Sequence, residues 1–169
     1  MMKSILNDGP AATPVLFLDI DGVMNTSAFA LANHSGLIFR TESVISLNRI
    51  LTESGCRVVI SSSWRREPRI NLGAIFETQG VAKFRACLAG ITPDLSNEEC
   101  CNRGDEIEAW LSKERFTGRL AILDDDPIMG PFDLWHCRTD ESKGLTTEVA
   151  NRVIAMLVYG PVYREGALI

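Results

Sequence analysis

The stretch FLDIDGVMN, residues 17–25, decides how the rest of the chain is interpreted. It continues an apolar run that begins at Val15 and breaks off in two carboxylates, Asp19 and Asp21, with a glycine directly after them. An apolar run without polar alternation predicts a strand that is buried on both faces. Asp and Gly are also ordinary turn residues, so the role of the two aspartates depends on what lies beside this strand end.

The composition is that of an ordinary globular domain, with 169 residues of which 46% are apolar and 23% charged. A formal net charge of -5 argues against a globally basic nucleic-acid binder, although a local basic patch stays open. No apolar stretch approaches the roughly 20 residues that span a membrane, and the first residues lack the apolar core of a signal peptide. We therefore expect a cytoplasmic protein with no membrane partner and with its five cysteines reduced.

Apolar runs alternate with segments of helical spacing along the chain. The predicted strands are 15–19, 56–61, 84–90, 119–124 and 133–138. The predicted helices are 42–55, 70–80, 104–114 and 146–160. Strands separated by helices of this length imply right-handed crossovers and a mostly parallel sheet with helices on both faces. The prediction is one α/β domain with three Rossmann-like layers.

The domain itself is predicted at residues 14–160, preceded by an N-terminal arm, 1–13, and followed by a C-terminal tail, 161–169. The segment 26–41 is too short for a separate capping domain, so we expect it to form a flap beside the site. Such a minimal cap leaves the site open to solvent and to a large substrate.

Polar residues follow three of the predicted strands at the point where each strand ends. Asp19 ends the first strand, Ser61 and Ser62 end the second, and Asp124 with Asp125 ends the fourth. In parallel sheets, ligands bind outside the carboxyl ends of the strands. We therefore expect these side chains to meet in one crevice.

The chemistry that this crevice favours is phosphoryl transfer. Clustered carboxylates repel each other, and Mg²⁺ supplies the counter-charge while it also binds phosphate. Serine hydroxyls and the guanidinium of Arg103, at the start of a predicted helix, suit phosphate oxygens. One aspartate can act as the nucleophile, and a second carboxylic acid can protonate the leaving group and then deprotonate water.

The motif DIDGV at 19–23 resembles the DxDGV signature of the haloacid dehalogenase (HAD) superfamily of phosphotransferases. The hydroxyl, basic and acidic elements of that superfamily follow in its order, as Ser61 or Ser62, Arg103, and Asp124 with Asp125. DGVMN, SSSWRR, RGDEIEAWL and ILDDD together resemble a cap-poor branch whose domain also occurs in predicted nucleic-acid repair proteins. The basic element departs from the pattern, because an Arg stands where most members have Lys.

The resemblance implies a Mg²⁺-dependent phosphomonoester hydrolase that works through an aspartyl-phosphate intermediate. It makes Asp19 the nucleophile and Asp21 the general acid and base. The implied metal ligands are the Asp19 carboxylate, the Asp21 backbone carbonyl, and Asp124 with Asp125 beside it. The implied phosphate ligands are Ser61 or Ser62 and Arg103.

An open site favours a large substrate such as a phosphorylated nucleic-acid end, whose binding would depend on Arg65, Arg66, Arg69 and Arg103. We interpret Arg65 and Arg66 as a solvated basic turn, and Trp64 as a packing residue beside the site. Two alternatives stay open: a small-molecule phosphatase with a lid from a second subunit, and a non-catalytic binding module. The oligomeric state is open as well.

Overall fold

The structure, a computed structural model, describes residues 12–34, 37–97 and 101–164. Five strands form one sheet in the order β3-β2-β1-β4-β5. Their bounds are β1 Val15–Leu18, β2 Arg57–Ile60, β3 Leu88–Ile91, β4 Gly118–Leu123 and β5 Val162–Tyr163. β1 to β4 pair in parallel, whereas β5 pairs antiparallel with β4. The α/β prediction with a mostly parallel sheet is confirmed.

Helices cover both faces of this sheet. Their bounds are α1 Ser27–Ala32, α2 Thr41–Ser54, α3 Leu72–Thr78, α4 Phe84–Cys87, α5 Arg103–Glu114 and α6 Thr147–Tyr159. Two short 3₁₀ helices lie at Ser63–Arg66 and Gly130–Trp135. The predicted helices at 42–55, 70–80, 104–114 and 146–160 correspond to α2, α3, α5 and α6.

Alternate residues of each strand supply two separate cores, because successive side chains of a strand point to opposite faces. On one face, Leu16 and Leu18 pack with apolar residues of α2, α3, α4 and α6. On the other face, Val15 and Phe17 pack with α5, where the rings of Phe17 and Trp110 meet edge to face with centroids 5.4 Å apart. Helix, sheet and helix thus form the three predicted layers.

Two of the predicted strands are wrong in whole or in part. The predicted strand 84–90 is half helix: α4 occupies Phe84–Cys87, and β3 begins only at Leu88. The predicted strand 133–138 overlaps the 3₁₀ helix Gly130–Trp135, and a single bridge between Ile122 and His136 follows it. Pro131 favours a helix start, and the three-residue spacing of Phe132 and Trp135 buries both on one side of a 3₁₀ helix.

One strand of the sheet lies beyond the predicted C-terminal bound of the domain. β5 lies within the predicted C-terminal tail, 161–169, where Tyr163 is buried in the core beside α5. Residues 165–169 of that tail, 1–11 of the predicted arm, and 35 and 36 of the predicted flap lie outside the described residues.

Candidate active site

The register of the sheet brings three of the predicted site residues into one row. The last residue of β1, Leu18, pairs with the last residues of β2 and β4 on its two sides, and the residues that follow these three are Asp19, Ser61 and Asp124. Hydrogen bonds of 3.0 Å continue the ladder, from the Asp19 N–H to the Leu123 carbonyl and from the Ser61 N–H to the Leu18 carbonyl. Because side chains alternate along a strand, this row faces the side of the sheet that α5 covers.

Arg103, the first residue of α5, lies between two of the carboxylates. Its Nε donates to Asp124 Oδ2 at 3.1 Å, and its Nη2 lies 3.6 Å from Asp19 Oδ1. The helix begins here because Asn102 and Asp105 form a reciprocal capping box. A glycine follows at position 104, where a Cβ would lie 2.5 Å from the Met129 carbonyl oxygen. The start of α5 can therefore approach the loop after β4.

Three carboxylates form a compact acidic cluster, Asp19, Asp124 and Asp125, each with an oxygen within 4.8 Å of the others. Burial raises the pKa of Asp19 from its ordinary 3.8 to about 7, the Asp124 charge adds to the rise, and Arg103 opposes it. Burial also raises the pKa of Asp124, to about 6, and that of Asp125. One guanidinium does not offset three carboxylates, and oxygen donors at this spacing fit a hard divalent cation.

The glycine of the DIDGV motif has a steric role in this cluster. Gly22 has φ +72°, in the left-handed region, and a Cβ at this position would overlap the carboxylate of Asp125. Any side chain at position 22 would therefore displace the third carboxylate as well as strain the turn.

The loop after β4 holds Asp124 through its own polar contacts. Its Oδ1 accepts the backbone N–H of Asp126 at 2.9 Å, and its carbonyl oxygen lies 3.1 Å from Nε2 of His136. Burial lowers the pKa of His136, which favours the neutral ring. His136 therefore supports the backbone of the loop that carries Asp124.

The two predicted phosphate-binding serines differ in their partners. The Ser61 hydroxyl is buried and has no hydrogen-bond partner among the described residues. The Ser62 hydroxyl accepts the N–H of Trp64 at 3.4 Å, and its hydrogen bond to Asp19 lowers the pKa of that carboxyl. A buried hydroxyl without a partner costs about 1–3 kcal/mol, and a ligand oxygen that accepted from Ser61 would remove that cost.

Asp21 differs from the other predicted acidic residues. It is exposed and is not one of the three clustered carboxylates. Its Oδ2 accepts a hydrogen bond of 2.9 Å from the indole Nε1 of Trp64. Trp64 does pack beside the site, against Phe39 with ring centroids 6.2 Å apart, but its bond to Asp21 was not predicted from the sequence.

Glu106 is a site residue that the sequence analysis missed. It is 5% exposed; its Oε1 lies 2.5 Å from Nη2 of Arg65, and its Oε2 lies 3.5 Å from Nη1 of Arg103. The signal was its place on α5, because it shares the buried face of that helix with Ile107 and Trp110. A carboxylate on the apolar face of an amphipathic helix indicates a buried partner.

The interpretation of Arg65 as a solvated basic residue is wrong. Its side chain is 1% exposed, and its N–H groups donate to the backbone carbonyls of four residues as well as to Glu106. The four carbonyls belong to Ser61, Ser62, Thr92 and Pro93. Arg65 therefore fastens the end of β2 to the loop after β3, and it has no free face for a substrate.

A cleft of about 950 Å³ lies beside the cluster. Its floor includes Asp19, Arg103 and the acidic residues after β4, and its wall comes from the segment that leads into α6. Charged side chains of both signs line this wall: Arg138, Asp140, Glu141, Lys143, Glu148 and Arg152. None of the described residues of the segment 26–41 lines this cleft.

Comparison with known proteins gives one match. The family described as "HAD domain in Swiss Army Knife RNA repair proteins" matches residues 15–150, well over half of the chain, and this confirms the resemblance to the HAD superfamily. No curated protein and no solved structure matches the chain. Among the described residues, no helix has the length and apolar character needed to cross a membrane.

Mg²⁺ should raise the melting temperature of the wild type, and Asp124→Asn should remove most of that rise. A ligand that binds only the folded state stabilises it, by about 2.7 kcal/mol at 100 times its dissociation constant. The measurement is a thermal melt across a Mg²⁺ titration. Asp126→Asn is the matched control, because Asp126 neighbours the cluster without belonging to it. An equal rise in wild type and Asp124→Asn would place the metal elsewhere.

Glu106→Gln should lower the free energy of unfolding by about 3–5 kcal/mol, because it leaves the buried Arg65 guanidinium without its charge partner. Urea unfolding in metal-free buffer measures the change. Glu108→Gln on the exposed face of the same helix is the control and should change little. Equal effects of the two substitutions would show that the Arg65–Glu106 pair contributes no stability.

Proposed function

The chain belongs to the family of HAD domains in Swiss Army Knife RNA repair proteins, and we propose that it is a Mg²⁺-dependent phosphomonoester hydrolase. The observation that carries this proposal is the cluster of the buried Asp19 and Asp124 with the partly buried Asp125, against which Arg103 lies. HAD-superfamily membership supports phosphatase-type chemistry, and the cluster supplies the donors that Mg²⁺ prefers.

Asp19 is the proposed nucleophile. Its backbone is fixed by the hydrogen bond to the Leu123 carbonyl, and Arg103 favours its ionised form. One carboxylate oxygen would attack the phosphorus as the leaving oxygen departs, which forms an aspartyl phosphate. When bound, Mg²⁺ would keep the carboxylates ionised together and neutralise charge on the phosphoryl oxygens. Asp124 and Asp125, with the Asp21 backbone carbonyl, would complete its protein ligands.

The phosphoryl oxygens are assigned to Ser61, Ser62 and Arg103. Ser61 has a buried hydroxyl without a partner in the described structure, and Ser62 lies beside Asp19. Arg103 is 17% exposed at the cleft and keeps N–H groups beyond its bond to Asp124. A guanidinium that already supports two carboxylates can then hold the charge that develops on the transferring group.

Asp21 is the proposed general acid and base. It would protonate the leaving oxygen in the first step and take a proton from the attacking water in the second. Its exposure at the turn after β1 suits a group that must exchange protons with substrate and solvent.

A phosphorylated nucleic-acid end is the proposed substrate. The family's occurrence in RNA repair proteins supports it, as does a cleft that no described flap residue lines. Arg65 is buried, and Arg69 lies outside the cleft in a pair with Glu67. We therefore assign contacts with the flanking phosphates to Arg138 and Arg152, which line the cleft.

The two alternatives differ from this proposal in measurable ways. A binding module would hydrolyse no phosphomonoester in the presence of Mg²⁺. A small-molecule phosphatase with a shared lid would prefer a compact phosphorylated metabolite and would need a second copy of the chain. Turnover of p-nitrophenyl phosphate tests the binding-module alternative, and the relative kcat/KM of oligonucleotides and small metabolites tests the shared-lid alternative.

Asp19→Asn should abolish hydrolysis of p-nitrophenyl phosphate, because an amide is a very poor nucleophile. The assay is steady-state turnover with Mg²⁺, in protein checked by mass for deamidation back to Asp. Asp133→Asn, in the 3₁₀ helix outside the cleft-lining set, is the control and should keep full activity. Residual activity above a small fraction of wild type would falsify the nucleophile assignment.

Phosphorylated oligonucleotides should have higher kcat/KM than the matching mononucleotides, because the larger substrate adds remote binding energy. The double substitution Arg138→Gln, Arg152→Gln should remove most of this advantage and leave p-nitrophenyl phosphate turnover intact. A charge-assisted hydrogen bond is worth about 1.5–3 kcal/mol, or tenfold or more in kcat/KM. Arg69→Gln is the control. A preference for a small phosphorylated metabolite would favour the shared-lid alternative.

A further inference from the structure

The hydrogen bond between Asp21 and Trp64 links the turn after β1 to the 3₁₀ helix after β2. The indole Nε1 lies 2.9 Å from Asp21 Oδ2, a normal length for a charge-assisted bond. The two residues are 43 positions apart in the chain, so the contact is tertiary. It is also accessible, since Asp21 is exposed and Trp64 is only partly buried.

Contacts other than the bond to Asp21 also hold Trp64 in place. The Trp64 backbone N–H is capped by the Ser62 hydroxyl at 3.4 Å, and its ring packs against Phe39. The next residue, Arg65, binds five acceptors and is almost completely buried. An exposed Asp side chain would otherwise sample several rotamers, whereas a bond to a fixed donor selects one of them.

We infer that Trp64 is a positioning residue for Asp21, and that its indole determines which carboxyl oxygen exchanges the proton. An indole N–H only donates, so it binds Oδ2 as an acceptor. A carbonyl oxygen accepts more strongly than a hydroxyl oxygen, so this bond favours Oδ1 as the oxygen that exchanges the proton. This inference rests on the proposed function, in which Asp21 is the general acid and base.

The two proposed steps balance with the proton on Oδ1. In the first, an Asp19 oxygen bonds to phosphorus, the bond from phosphorus to the leaving oxygen breaks, and the Oδ1 proton passes to that oxygen. In the second, a water oxygen bonds to phosphorus, the bond to Asp19 breaks, and a water proton passes to Oδ1. The indole keeps its own hydrogen throughout, so it orients Asp21 without taking part in the transfer.

Trp64→Phe tests the inference, because phenylalanine retains an aromatic ring against Phe39 and lacks the N–H donor. The measurement is kcat/KM, which reports the first step, for p-nitrophenyl phosphate and phenyl phosphate. Phenolate is the poorer leaving group and needs the proton more. General acid catalysis is worth roughly 10²–10⁴-fold, so we expect a loss of about tenfold or more for phenyl phosphate and a much smaller loss for p-nitrophenyl phosphate.

Two controls isolate the indole bond. Trp135→Phe removes another indole donor, which lies away from the cleft and donates to the Pro161 carbonyl at 3.3 Å. This substitution should leave kcat/KM unchanged for both substrates. Trp64→Phe combined with Asp21→Asn should lose no more with phenyl phosphate than Asp21→Asn alone, because the indole acts only through Asp21.

Each outcome decides the inference. Equal losses on both substrates, or no loss on either, would overturn it, and the first result would assign Trp64 to packing alone. Additive losses in the double variant would overturn it too. A wild type inactive on both substrates would overturn the proposed function and this inference together, whereas an active wild type with inactive Asp19→Asn leaves only the role of Trp64 at issue.

Discussion

Asp19 and Asp124 lose most of their hydration where β1 and β4 end, and the surrounding structure supplies the groups that hold them. Arg103 contacts both carboxylates and also Glu106, and Glu106 in turn pairs with Arg65. These contacts therefore link Asp19, at the end of β1, through α5 to the segment after β2. A change in one charge alters the pairing of every other charge in it.

The charges of this network do not cancel within the protein. When all groups are ionised, the acidic cluster and Glu106 supply four carboxylates against the guanidiniums of Arg65 and Arg103. Arg66 also lies 3.7 Å from Glu106, but Asp94 pairs with it at 3.0 Å, so two negative charges remain. Burial is the main cause of the raised pKa values of Asp19 and Asp124, and Arg103 opposes both rises without cancelling them. A single divalent cation would balance the network and let the carboxylates stay ionised.

The sequence predicts the strand ends well because the relevant information is local. An apolar run that stops at Asp19 or Asp124 marks a buried parallel strand, and parallel strands place their ends together. The contacts of Glu106 and Trp64 could not be predicted in this way, because each depends on how a helix packs against a segment that is distant in the sequence. The error at 133–138 is also tertiary: a short segment of mixed apolar and polar residues fits a strand or a 3₁₀ helix, and burial of Phe132 and Trp135 decides between them.

The two aspartates of the opening motif are held by opposite means, and the difference suits the two roles proposed for them. Asp19, the proposed nucleophile, is 6% exposed and belongs to the charge network, and a nucleophile gains reactivity when water is excluded. Asp21 is exposed and has the Trp64 indole as its partner, which leaves one oxygen open to solvent. A group that must release and recover a proton in every cycle needs that access. The single residue between them turns the chain from the buried sheet edge to its surface.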